Sequence, residues 1–180
     1  MVFYTPAFRR DYFDPKVVKA LIIANVIMFI AEMIYYPIIY YLALVPSEIL
    51  AGKTLWTLVS HMFLHADILH IFLNMYALLI FGPECEKEFG HIKFLIIYLL
   101  SGISGALLHS FLTPFKNAPA VGASGAVFGI MASYAMLYPK RKLMMFVFVG
   151  FIILPAWALL LFFFLMETLL GLVAYADAIA

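Results

Sequence analysis

Unbroken apolar runs about as long as a bilayer is thick dominate this 180-residue chain and exclude most of the folds otherwise open to it. A helix needs about 20 predominantly apolar residues to cross a hydrocarbon core about 30 Å thick. Runs of that kind cover residues 17–36, 56–81, 92–112, 122–138 and 143–166. The breaks between them carry helix-stopping residues: Pro37 and Pro46, Gly82-Pro83, Pro114 with Pro119, and Pro139 ahead of Lys140-Arg141-Lys142. With 67% of residues hydrophobic and 12% charged, a water-soluble domain of this size could not be covered by polar surface. The expected fold class is therefore an all-α membrane protein. We expect one domain over residues 1–180, a bundle of five transmembrane helices with Pro155 kinking the fifth. The 13 residues after Glu167 make only about 20 Å of helix, and are expected to end outside the membrane.

Charge along the chain gives the orientation. Sorting the 11 Lys and Arg residues by loop puts Arg9, Arg10, Lys16, Lys19, Lys87, Lys93, Lys140, Arg141 and Lys142 on one side, with only Lys53 and Lys116 on the other. By the positive-inside rule the amino terminus is cytoplasmic, and the connections at residues 37–55 and 113–121 lie outside. The first of these is rich in Tyr, Ile and Leu, which suits a segment lying in the membrane interface. A net charge of +1 gives no reason to expect nucleic acid as a partner. The expected surroundings are the lipid bilayer, as for a multi-pass protein of the cell membrane. Cys85 is the only cysteine, so neither an intrachain disulfide nor a cysteine metal cage can form. The first run lacks a small-residue cleavage site and is too long for a signal-peptide core, so it reads as a retained span.

Helical counting places the polar residues in depth. Ser124 precedes Tyr138 by 14 residues, which puts it roughly 21 Å above the inner boundary and some 9 Å below the outer one. Counting back from Gly82-Pro83 puts His70 roughly 18 Å and Asn74 roughly 12 Å above the inner end of the second span. Spaced four apart, His70 and Asn74 share one helix face, and each offers a neutral hydrogen-bond donor. Polar groups are costly against lipid, so both should point into the bundle.

These residues form an ordered set that runs from the second span to the fourth. His61-Met62-Phe63-Leu64-His65-Ala66, His70 with Asn74, the spaced Gly82, Glu86 and Gly90, and Gly122-Ala123-Ser124-Gly125 with Gly129 resemble the rhomboid intramembrane serine proteases. A lone Gly-x-Ser-Gly would be weak evidence; the His-x-x-x-Asn pair and the Gly/Glu/Gly series make the pattern specific. The resemblance implies a rhomboid-like helical bundle that admits transmembrane protein substrates from the side. It also implies that they are cut by a serine nucleophile at a water-filled site opening to the non-cytoplasmic side. It assigns Ser124 as nucleophile, and the backbone N–H of Ser124 with the side chains of His70 and Asn74 as oxyanion donors, with no metal and no cofactor. Gly122, Gly125, Ala126 and Gly129 would leave one side of the fourth helix bare for close packing, in the family against a sixth helix.

The sequence departs from that pattern in one respect. The family's general base is a histidine on the sixth helix, and no matching segment is present. A serine hydroxyl is a weak nucleophile without an adjacent base. His91 falls in a cytoplasmic loop, and His61 and His65 lie at the loop edge of the second span. Nothing in the pattern aims His109 at Ser124. With the general base absent, the chain is expected to be an inactive serine endopeptidase. The preferred account is a protease core cut short after residue 180, before its last helix. The alternatives are a non-catalytic relative that binds membrane helices, and an assembly in which a separate segment supplies the sixth helix.

Plainer readings stand beside these. Glycine and serine in a membrane helix often serve packing alone, and His70 and Asn74 could simply bond across helices. His61, His65, Asp67 and His70 could be read as metal ligands, but no His-Glu-x-x-His is present. Glu86 and Glu88 with Lys87 suit a solvated turn, with Glu86 bracing the helix end as in the family. Phe162-Phe163-Phe164 suits lipid-facing bulk beside a substrate gate. A transporter would call for paired ionisable groups deep in the bundle or an internal repeat, and the sequence displays neither.

Overall fold

The computed structural model describes residues 13–147 and 150–179; Arg9, Arg10 and Ala180, used in the charge count and the reading of the chain end, lie outside the described residues. The first long helix, α1 (Lys16–Ile34), has no side-chain cap of its own. Two of its leading N–H groups are met from a distance by Glu86, whose carboxylate accepts from Val17 N at 2.9 Å and Val18 N at 2.8 Å. The connection that follows folds into α2 (Ile38–Leu42), α3 (Pro46–Leu50), α4 (Thr57–Ser60) and a single 3-10 turn at His61–Phe63. Then come α5 (Ile68–Phe89), α6 (His91–Leu112) and α7 (Ser124–Leu137). A hairpin of β1 (Lys142–Val147) and β2 (Gly150–Pro155) leads into α8 (Ala156–Ile179). By length and composition α1, α5 and α6 can cross a membrane, and α7 and residues Ala156–Leu169 of α8 are shorter apolar helices. The chain is a helical membrane bundle.

Two of the expected spans are built differently. Residues 56–81 do not form one helix: α5 begins only at Ile68, where Asp67 caps it by accepting from His70 N at 2.8 Å. The same helix passes through Gly82-Pro83 and stops at Gly90, where φ is +77°. Gly82 is therefore a packing residue, since a Cβ there would lie 2.7 Å from Val18 Cγ2 of α1. The helix end from which His70 and Asn74 were counted lies two turns further on.

The fifth apolar run, 143–166, is likewise not one helix. Lys142 to Val147 pair antiparallel with Gly150 to Pro155, and the helix starts only after Pro155. A run of β-branched and aromatic residues is compatible with either structure, and length alone does not separate them. Pro155 thus precedes a helix instead of kinking one, and the residues after Glu167 continue the 24-residue α8.

The bundle is organised around α7, which packs on α6, α5 and α8. Ala126, Val127, Ile130, Met131 and Tyr134 of α7 are buried, and the Tyr134 ring meets Phe81 of α5 edge-on at 5.2 Å. Large apolar side chains such as Ile27, Ile34, Leu108 and Phe111 point outward, as lipid contact allows and water would not. The small residues set the spacing: Gly125 lies opposite Gly102 and Gly105 of α6, and Gly129 lies against Ser101. The close neighbour of the glycine side of α7 is therefore α6.

Candidate active site

Loop residues bring the start of α7 to the start of α5. Leu44 and Ala120 exchange both backbone hydrogen bonds, at 3.0 and 2.8 Å, and Gly122 N donates to His61 O at 3.0 Å. The segment before α7 is thus stitched to the short helices after α1, which satisfies backbone groups that lipid could not. Gly122 takes φ +126°, a conformation open to glycine and strained for other residues. A Cβ there would lie 2.7 Å from His70 Nε2, so the missing side chain is what admits the imidazole. The same point lies 3.8 Å from Ser124 Oγ, which places the hydroxyl and the imidazole around one glycine.

Each element supplies one part of the site. Ser124 is the first residue of α7, where N–H groups have no carbonyl partner within the helix. Its own N–H is therefore available beside its hydroxyl, at the positive end of the helix dipole. Ser124 is half-buried, and no hydrogen bond from its hydroxyl is found among the described residues. His70, in the first turn of α5, has Nε2 buried and without a hydrogen bond. Its ring meets that of His65 in a T-shaped contact at 5.1 Å. Asn74, one turn along, is buried and donates from Nδ2 to His70 O at 3.0 Å, which leaves its second N–H free. Ser124, Asn74 and Phe163 share one narrow cavity with Leu73 and Glu167.

None of the remaining histidines bonds to Ser124 among the described residues. His61 Nδ1 is 2.6 Å from Thr57 O, and His91 Nδ1 is bonded to Glu86. His65 is buried with both ring nitrogens unpartnered. His109 is exposed and lines a second cavity that also reaches Ser124 and His61, without bonding to either. Of the residues expected at the site, His70, Asn74, Ser124 and Gly122 come together. Gly125 and Gly129 instead serve the α6 contact.

Sequence reasoning missed two acids. Glu32 of α1 is buried and accepts the His65 N–H at 3.2 Å, which braces the loop that presents His70. Glu167 of α8 lines the Ser124 cavity, with Oε2 at 3.7 Å from His70 Nε2. The available signal was the ionisable residue in an apolar helix, which marks function by default; Glu167 had been read as the end of a run.

Comparison with known proteins agrees with this geometry. The family model described as the Rhomboid domain matches residues 52–180. RHOMBOID-like protein 6, mitochondrial, from Arabidopsis thaliana is 38% identical over 87 residues, covering 48% of this chain and 28% of its own length. RHOMBOID-like protein 2 from the same plant is 44% identical over 75 residues, covering 42% and 23% respectively. Rhomboid-like protease 3 from Toxoplasma gondii is 44% identical over 81 residues, covering 45% and 30%. In these alignments the chain spans less than a third of the length of the curated relatives it matches. A domain match over more than two thirds of the sequence, on the residues that build the cavity, shows that this chain belongs to the rhomboid family.

Proposed function

We propose that this chain is the core of an intramembrane serine endopeptidase that cleaves transmembrane segments of membrane-protein substrates. The observation that carries the reading is the meeting of His70 Nε2 and Ser124 Oγ around Gly122, with Asn74 in the same cavity as Ser124. In this reading Ser124 Oγ attacks the scissile carbonyl carbon, and the carbonyl oxygen becomes an oxyanion. The Ser124 N–H, His70 and the free N–H of Asn74 receive it, and each such donor is worth about 3 kcal/mol of transition-state stabilisation in a dry, preorganised site. The loops at residues 37–55 and 113–121 carry few basic residues, which supports a site opening on the non-cytoplasmic side. A substrate helix would arrive through the seam between α5 and α8, both of which line the Ser124 cavity.

None of the described histidines bonds to Ser124, so the nucleophile lacks an aligned base, and the chain by itself should turn over slowly or not at all. The companion reading is a rhomboid-like protein that binds membrane helices without cutting them. The test is labelling of the folded chain in liposomes by a fluorophosphonate, together with cleavage of a helix-destabilised transmembrane substrate. Slow labelling that disappears in Ser124→Ala supports the hydrolase; a folded preparation that binds the substrate but is never labelled supports the binding protein.

A further inference from the structure

Among the described residues, Glu167 alone is common to the narrow cavity of Ser124 and Asn74 and to the wider one lined by Asp67, His70 and His109. Its Oε2 stands 3.7 Å from His70 Nε2, beyond hydrogen-bond range and within that of a direct charge interaction. The imidazole does not need Glu167 to hold it, because Gly122 abuts one edge and the His65 ring another. The contact therefore bears on charge more than on position. When a serine adds to a carbonyl, the new negative charge forms beside this same nitrogen, and like charges a few ångströms apart in a low-dielectric site repel strongly.

We propose that Glu167 is an internal competitor of the oxyanion: as a carboxylate it opposes the charge that His70 has to stabilise, and removing that charge strengthens binding of the oxyanion. The proposal rests on Ser124, His70 and Asn74 being the catalytic site. Among the described residues, the other titratable groups around Glu167 are Asp67, which caps α5, His70 of α5 and His109 of α6, with His65 packed against His70. α7 and β2 bring no charged group to it. Asp67 acts in the same sense as Glu167 and is unchanged in every variant. The informative comparison is therefore wild type against Glu167→Gln at one pH, with Glu167→Asp as the variant that keeps the charge.

The probe is a peptidyl boronic acid. The serine oxygen forms a B–O bond, boron passes from trigonal to a tetrahedral anion, and the serine proton leaves to solvent, so binding at equilibrium needs no turnover. With the full chain in detergent, Glu167→Gln should bind at least fivefold more tightly than wild type at pH 7.5. Glu167→Asp, which keeps the charge, should bind like wild type. Equal or weaker binding by Glu167→Gln at pH 7.5, or an Asp variant that behaves like Gln, overturns the proposal alone. Absence of binding in every variant, or binding that survives Ser124→Ala, overturns the Ser124 site itself and the proposal with it.

Discussion

Replacing Gly129 with alanine should drive α6 and α7 apart where Gly129 meets Ser101. The new Cβ would stand 2.0 Å from Ser101 Oγ and 2.3 Å from Ser101 Cβ, against ordinary carbon contacts of about 3.5–4.0 Å. The hydroxyl can rotate away, but the Ser101 Cβ is fixed to the α6 backbone, so the helices themselves must yield. Overpacking of this kind costs about 1–3 kcal/mol, here toward the upper end, and the better helix propensity of alanine returns about 1 kcal/mol. A net loss of about 2 kcal/mol follows from those two figures. Ser101→Gly removes both clashing atoms and leaves Ser101 Cα at 3.7 Å from the new Cβ, an ordinary contact. The double variant should therefore recover most of the loss, with a coupling of about 2 kcal/mol between the two sites. The assay is reversible unfolding in mixed micelles of a mild and a denaturing detergent, followed by far-ultraviolet circular dichroism over the four proteins of the cycle. A Gly129→Ala protein as stable as wild type, or a coupling below about 0.5 kcal/mol, would refute the packing argument.

Further outcomes follow from the same geometry. Glu86→Ala leaves the Val17 and Val18 N–H groups without their acceptor and removes the His91 partner. It should cost about 3–5 kcal/mol in the same unfolding assay, while Glu86→Gln, which can still accept, should cost less than half as much. Gly122→Ala places a Cβ at 2.7 Å from His70 Nε2 on a residue with φ +126°; boronate affinity should fall more than tenfold. Ser124→Gly, which leaves that turn intact, should keep wild-type stability in the unfolding titration. His70→Ala and Asn74→Ala should each weaken boronate binding by about tenfold to a hundredfold. Asn74 should have the smaller effect, because one of its N–H groups is already given to His70 O.

The fold class and the grouping of His70, Asn74 and Ser124 were legible in the sequence because each depends on local facts. Apolar run length reports lipid exposure directly, and the spacing of His70 and Asn74 is set by one helix turn. Similar depth for His70 and Ser124 was also anticipated, although through a helix end misplaced at Gly82-Pro83. They are level because each stands in the first turn of its helix. The segment 142–155 was not legible, since an unbroken apolar run lacks the alternation that separates strand from helix.

By itself the sequence determined that the chain lives in lipid, which polar side chains it places there, and that Gly122-Ala123-Ser124-Gly125 opens a helix. Those properties follow from composition and from neighbours within a few residues. Only the tertiary structure decided that Gly129 is matched to Ser101, that Glu86 caps a helix 68 residues away, and that Glu167 faces His70 across the α5–α8 seam. Contacts between distant segments are fixed by how helices pack, and no local pattern encodes which side chains then meet.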